Sequence, residues 1–352
     1  MGLYLGILGA ARESQIALAT DQGKIVAYMR WPPLTARVNI RLSDSLRNVL
    51  NQLANIIDMT HDAMIAELHG VCVSMSGVYF DSDRAALRLT LGAIGLQGSF
   101  PLLISEDVNA FLASNFLSVG AIITAGTGSN VVARGHRMLY PIRVNGWGSI
   151  IGDAGGGYDL GVNCLRRILQ GLDEREDRAD TLERRILSYI GLSRPEDLIQ
   201  WYYNVSETVR WRSDIADLAI PLMEAAEQDE DDIAKGLVEQ GAVSLLESFK
   251  VAIRKMANVR EKFAPEPVSL IFEGGLFENS RTYINIFKSW LSTRPTSEIQ
   301  FEAMMSKYEP VVGALALAIA GELYLDEKRA EHDSLMESAN QTGLRIGNET
   351  FF

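Results

Sequence analysis

The chain has 352 residues, 47% of them apolar and 22% charged, and its 33 basic residues against 45 acidic ones leave a net charge of −12. This length exceeds what one compact core usually spans, so two domains are expected, and the composition excludes a largely disordered chain. The acidity, with no dense Lys/Arg stripe, argues against nucleic acid and anionic membrane surfaces as partners. Residues 3–9 (LYLGILG) and 15–20 (QIALAT) read as strands joined by a turn over Gly9–Ser14, and Asp21-Gln22-Gly23 is a turn before a third strand, KIVAYMR. Pro32 and Pro33 end this meander, and Ser43–Ile57 carries Leu46, Val49, Leu50, Leu53, Ile56 and Ile57 at helical spacing. GVCVSMSGV and PLLISEDV are strands, the second running into a helix over Asn109–Leu117. A meander followed by alternating helices and strands describes one α/β half with a mixed sheet.

From Val119 the pattern restarts, with IITAGTGS, NVVARGH and MLYPIRV as a second meander. Helices are expected over Gly161–Leu172, Asp180–Gly191, Pro195–Tyr203, Arg212–Glu227 and Asp231–Ala257, and the acidic run Asp229–Asp232 reads as a helix start. Pro265 and Pro267 break the pattern, VSLIFEGG is a late strand, Thr282–Leu291 a helix, and EPVVGALALAIAGELYL a last apolar helix. Residues 327–352 read as a polar, unperiodic tail. Cys72 and Cys164 stand in no CxxC or Cys/His pattern, which argues against a disulfide framework or a zinc site. No apolar run approaches the roughly 18 residues that cross a bilayer. The amino terminus MGLYLGILGA lacks a basic region and reads into a strand, so a cytoplasmic setting is expected.

The segment richest in chemistry is AIITAGTGSN (Ala121–Asn130), followed by NGWGSIIGDAGGGYDLG (Asn145–Gly161). In the first, Gly126, Thr127, Gly128 and Ser129 form a turn whose backbone N–H groups can approach an anion closely, with hydroxyls as further donors. A lone GTGS is an ordinary turn; the second cluster, with Trp147 and Asp153, shifts the balance towards a phosphate and sugar site.

Five segments in order, ISEDVNAF, ITAGTGSN, NGWGSIIGDAGGGYDLG, IFEGGLFEN and EPVVGALALA, make residues 1–325 resemble the N-acetylglucosamine kinase and BadF/BadG/BcrA/BcrD group of the actin-like ATPase superfamily. The resemblance implies an α/β fold of two ribonuclease-H-like domains, with mixed sheets flanked by helices and an interdomain cleft. The first domain would span 1–117 with the helix around 310–326, the second 118–309 with a helical insertion, and 327–352 a tail. It implies ATP and Mg²⁺ as cofactors, a sugar substrate and a homodimer. Asp107 then falls where such kinases place the base for the sugar hydroxyl, with Glu106 beside it; the bland alternative is a helix cap. Gly126, Thr127, Gly128 and Ser129 would cradle phosphates. Asn39, Asn130, Trp147 and Asp153 would bind sugar, Trp147 by its ring face unless it is simply core. Gly274, Gly275 and Asn279 resemble the adenosine motif.

The first phosphate loop departs from the family pattern. Where the family has Asp-Gly-Gly-Gly-Thr-Lys-Thr, this chain has Leu8-Gly9-Ala10-Ala11-Arg12-Glu13-Ser14, with Gly9, Arg12 and Ser14 as the nucleotide-binding positions. Leucine cannot ligate a hard cation, so how a metal would be held stays open; Arg12 would supply charge directly to phosphate, and Glu13 a carboxylate. Two readings follow: an active sugar kinase with Asp107 as base, or a non-catalytic sugar- or nucleotide-binding member of the same fold acting as sensor or partner. Activators of radical dehydratases resemble the group too, but Cys72 and Cys164 lie outside the cluster-binding motifs this would need.

Overall fold

The computed structural model describes residues 2–10, 12–36, 41–98, 100–105, 107–138, 140–174, 181–208, 210–293, 298–321 and 329–346. They fall into two compact units, Met1–Gly120 with Met305–Thr350, and Ala121–Met304. In the first unit the period of two along β1 (Leu3–Gly9) sets both layers: Leu3, Leu5 and Ile7 join one core cluster, while Tyr4 and Leu8 join another on the opposite face. β2 (Ser14–Thr20) divides the same way, Ile16 and Leu18 against Ala17 and Ala19. With β3 (Ile25–Trp31), β4 (Leu68–Met75) and β5 (Leu102–Ser105) they form a sheet of order β3-β2-β1-β4-β5. β1 runs antiparallel to β2 and parallel to β4.

The helix Leu42–Ile56 buries Leu46, Val49, Leu50 and Leu53 against the first face, as its spacing requires. The second face takes Pro310–Ala320, a helix apolar all round and buried along its whole length. Small residues on the sheet let it come close: a Cβ on Gly6 would stand 2.8 Å from the Leu315 nitrogen. At Gly313 the same helix meets the helix Asp107–Ser114, and a Cβ there would overlap the Ala110 carbonyl oxygen. Gly313→Val is therefore expected to cost about 3 kcal/mol, the upper end of ordinary overpacking penalties, and to lower the urea midpoint accordingly.

The second unit contains β6 (Gly120–Ala125), β7 (Ser129–Arg134), β8 (Ile142–Asn145), β9 (Val268–Glu273) and β10 (Phe301–Met305), in the order β10-β9-β6-β7-β8. Taken from the β8 edge this is third, second, first, fourth, fifth, the same order as the first sheet. β7 pairs antiparallel with β8 and β6 parallel with β9, so both sheets are mixed and both are flanked by helices, the expected fold class.

Several elements differ from the sequence reading. Arg212–Glu227 is two helices, Trp211–Ala216 and Ala219–Glu227. The first helix of the second unit starts at Gly157, four residues earlier than expected, and runs to Glu174. Asp231 caps Asp232–Ala257 through N–H groups of Ile233 and Ala234, each 3.0 Å from its Oδ1, so the acidic run does start a helix. The tail reading needs correction: Arg329–Gln341 is a helix with Leu335 and Ala339 buried, and the Ile25 N–H donates to Ser338 Oγ at 2.8 Å.

Candidate functional site

In the second unit β6 breaks into Gly126-Thr127-Gly128 before β7 begins. The helix Gly157–Glu174 holds this loop by its carbonyls: Gly157 N–H donates to Gly126 O at 2.7 Å and Tyr158 N–H to Thr127 O at 2.9 Å. A third bond, Gly126 N–H to Gly128 O at 2.9 Å, closes the turn. Among the described residues nothing accepts from the Thr127 and Gly128 N–H groups, and no atom lies within 4 Å of where a Gly126 Cβ would stand. Carbonyls drawn inward and N–H groups left over make a surface that suits an oxyanion.

Around this loop the turn Asp153–Gly156 is clamped from several elements. Asn145 Nδ2 donates to Ser129 Oγ at 2.9 Å and to Ala154 O at 3.2 Å, and Ser129 Oγ itself donates to Ala154 O at 2.7 Å. Gly155 N–H donates to Asp159 Oδ2 at 2.9 Å, and the buried Tyr283 hydroxyl donates to Gly155 O at 2.8 Å. Ser129 is 3% exposed, so its hydroxyl braces the turn and does not face an anion. Asn145, Asp159 and Tyr283 escaped the sequence reading. Only Asn145 carried a signal, as the first residue of an Asn-Gly turn with φ 65°.

Asp153 Oδ1 accepts from Gly148 N–H at 3.0 Å, and its other oxygen lies against the Cα of Gly128. Burial raises its pKa, and the proximity of Asp159 adds to this; the Gly148 N–H and the charge of Arg212 pull the other way. A carboxyl with a raised folded pKa binds more protons folded than unfolded. Stability therefore falls as pH rises through the window between the two pKa values, and the full cost is present above it. Asp153→Asn, which keeps the acceptor for Gly148, is expected to leave the Tm at pH 7 equal or higher, with the gap closing as pH falls below the ordinary carboxylate range. A thermal melt series in pH checks this.

Asn130 is paired with Asn145 across β7 and β8, and a Cβ on Gly146 would stand 2.9 Å from the Asn130 Cβ. Trp147 is 68% exposed, which rules out the reading as core, and Ile150 and Ile151 beside it are exposed as well. Gly274, between β9 and the helix Gly275–Asn279, abuts the loop: a Cβ there would lie 2.6 Å from Ala125 O and 3.1 Å from the Gly126 nitrogen. Asn279 is exposed and donates to Gly275 O at 2.8 Å. The second unit thus brings together Gly126–Ser129, Asn130, Trp147, Asp153 and Gly274.

The remaining positions belong to the first unit. Asp107 is the first residue of the helix Asp107–Ser114, not the end of a strand. Leu8 is 3% exposed and packs with Ala17, Cys72 and Ala110. Gly9 is a close approach, its Cβ position 2.7 Å from Leu34 O. Ser14 is buried and accepts from the N–H groups of Ala10 at 3.2 Å and Leu34 at 2.8 Å, so its hydroxyl staples the loop from inside. Arg12 is exposed, and Glu13 pairs with Arg30 at 2.7 Å. Asn39 and Glu106 lie outside the described residues. Among the described residues no three His, Cys, Asp or Glu side chains converge as a metal site would need, and no helix is long and apolar enough to cross a membrane.

The chain is similar to an N-acetylmuramic acid/N-acetylglucosamine kinase of Clostridium acetobutylicum, 25% identical over 293 residues that cover 83% of this chain and 91% of that protein. It is also similar to an N-acetyl-D-glucosamine kinase of Dictyostelium discoideum, 28% identical over 327 residues, 90% of this chain and 98% of that one. A crystal structure from Chromobacterium violaceum shares the fold with a TM-score of 0.64 at 19% identity, covering 90% of this chain and 99% of that one. Residues 102–318, more than half of the sequence and including both glycine clusters, match one family throughout: the chain belongs to the BadF/BadG/BcrA/BcrD ATPase family.

Proposed function

We propose that the protein is an ATP-dependent kinase that phosphorylates a hydroxyl of an amino sugar or a related hexose. The observation that carries this is the Gly126–Gly128 loop, whose Gly126 and Thr127 carbonyls are bonded to the helix behind it while the Thr127 and Gly128 N–H groups stay available for phosphate oxygens. Two relatives named as amino-sugar kinases support the substrate class. In the reaction the sugar oxygen bonds to the γ-phosphorus, the bond from that phosphorus to the departing ADP breaks, and the hydroxyl proton passes to the Asp107 carboxylate. Asn130 and Asp153 bind sugar hydroxyls and the exposed Trp147 offers its ring face to the sugar. Gly274, Gly275 and Asn279 line the adenosine end. A cytoplasmic homodimer with ATP and sugar as ligands completes the proposal.

Mg²⁺ accompanies ATP in such chemistry, where it would offset phosphate charge. The first loop does not fit a divalent cation, since Leu8 is packed in the core and Glu13 is held by Arg30. That same misfit favours the second reading, a non-catalytic nucleotide- or sugar-binding protein. An ADP-release assay over glucosamine, N-acetylglucosamine, N-acetylmuramic acid and glucose separates the two. Release that requires one of these sugars supports the kinase; nucleotide binding with no sugar-dependent release supports the second reading.

A further inference from the structure

We propose that Arg212 is the cation of the phosphate site formed by the Gly126–Gly128 loop, binding an oxygen of the nucleotide's terminal phosphates. The inference rests on the kinase reading above and adds to it a charged residue that neither the motifs nor the family match assigns.

Arg212 lies in the helix Trp211–Ala216 and is half-buried. Among the described residues it makes no ion pair within 4.0 Å and no hydrogen bond. Arg210, two residues before it, behaves differently and pairs with Asp214 at 3.6 Å. A guanidinium carries five donors and stays charged, so withdrawing it from water without an anion is costly. A half-buried guanidinium that makes no ion pair or hydrogen bond among the described residues keeps its donors open to an anion from outside.

Its position says which anion. The guanidinium Cζ stands 5.0 Å from the centroid of the Trp211 ring, and Trp211 meets the Tyr158 ring edge-on, with centroids 5.6 Å apart. Tyr158 is the residue whose N–H holds Thr127 O. The helix that carries Arg212 also packs directly on the start of Gly157–Glu174, where Cβ atoms on Gly157 and Gly161 would meet the Ala216 and Ile215 carbonyl oxygens. Arg212 is thus fixed to the element that positions the loop. Its charge is also felt by Asp153, whose carboxylate lies against Gly128 of the loop.

Phosphoryl transfer depends on positive charge held near the γ-phosphate oxygens. With leucine at position 8, a guanidinium beside the second loop meets that need from within one unit, and its planar fork suits two phosphate oxygens at once.

The test is calorimetric titration of the full chain with ATP, ADP and AMP, using wild type, Arg212→Gln and Arg212→Lys, with circular dichroism to verify folding. Arg212→Gln is expected to weaken ATP at least about tenfold while AMP stays within about twofold, and Arg212→Lys to restore part of the loss. Unchanged ATP affinity in folded Arg212→Gln overturns the inference and leaves the kinase reading standing. So does an equal loss for AMP, which marks a structural role, or a loss confined to a carboxylate-bearing sugar. A wild-type protein that binds none of the three nucleotides overturns both.

Discussion

Asp107→Asn is expected to lower kcat for sugar phosphorylation by about 10²–10⁴-fold while nucleotide Kd stays within about twofold. Asparagine keeps the size and a hydrogen-bonding oxygen but cannot take the hydroxyl proton, so binding geometry survives and the transfer step loses its acceptor. The split follows from the architecture as well. Asp107 opens a helix of the first unit, whereas the loop proposed for the phosphates is built wholly within the second. Losing one carboxylate from the first turn of a helix costs about 0.3–1 kcal/mol, so the Tm should move by a few degrees at most. Steady-state kinetics beside calorimetry reads both quantities, and a loss of nucleotide affinity as large as the loss of kcat would contradict the assignment.

Gly274→Ala is expected to weaken ATP binding at least about a hundredfold and to lower the Tm by several degrees. Gly274 has φ 103° and ψ 159°, a region in which any other residue costs about 1–3 kcal/mol. The added methyl would also press on Ala125 O and the Gly126 nitrogen, which is the backbone that begins the phosphate loop. Neither is a side-chain end that can swing aside, so the loop must shift. The adjacent Gly275→Ala is the control for stability: its new methyl would meet only Asn279 Nδ2 at 3.8 Å, so the melt should hold. Equal behaviour of the two variants in melts and titrations would show that the glycine pair does not position the loop.

Much of this architecture was legible because its elements announce themselves. β1 and β2 are continuous apolar runs, Leu42–Ile56 has a clear helical stripe, and Pro310–Ala320 is apolar on every side. Elements with few buried residues were missed. β10 buries only Ala303 and Met304, the helix Asp81–Gly92 only Leu87 and Leu91, and Arg329–Gln341 shows a thin stripe on a polar background. Their formation depends on neighbours distant in sequence, as with Ser338 bonding Ile25, which local periodicity cannot report.

The site divided along similar lines. Gly126–Gly128 stood out through its glycines, which bear on backbone conformation. The direction of a hydroxyl does not show in residue order. Ser129 and Ser14 therefore read as phosphate donors, although both are turned inward to brace backbone. Arg212 gave no signal, since an arginine acquires meaning only when its lack of a partner is visible. Leu8 was legible as a lost carboxylate, but its burial with Ala17, Cys72 and Ala110 fixes it as part of the core, where an aspartate would itself be desolvated.

Transfer of a phosphoryl group from ATP to a sugar hydroxyl is followed with terminally radiolabelled ATP and each sugar in turn. Label is expected in a sugar phosphate for wild type and is expected to be lost in Asp107→Asn. Label that stays in ATP with every sugar, or that leaves as inorganic phosphate whether or not sugar is present, would contradict a sugar kinase.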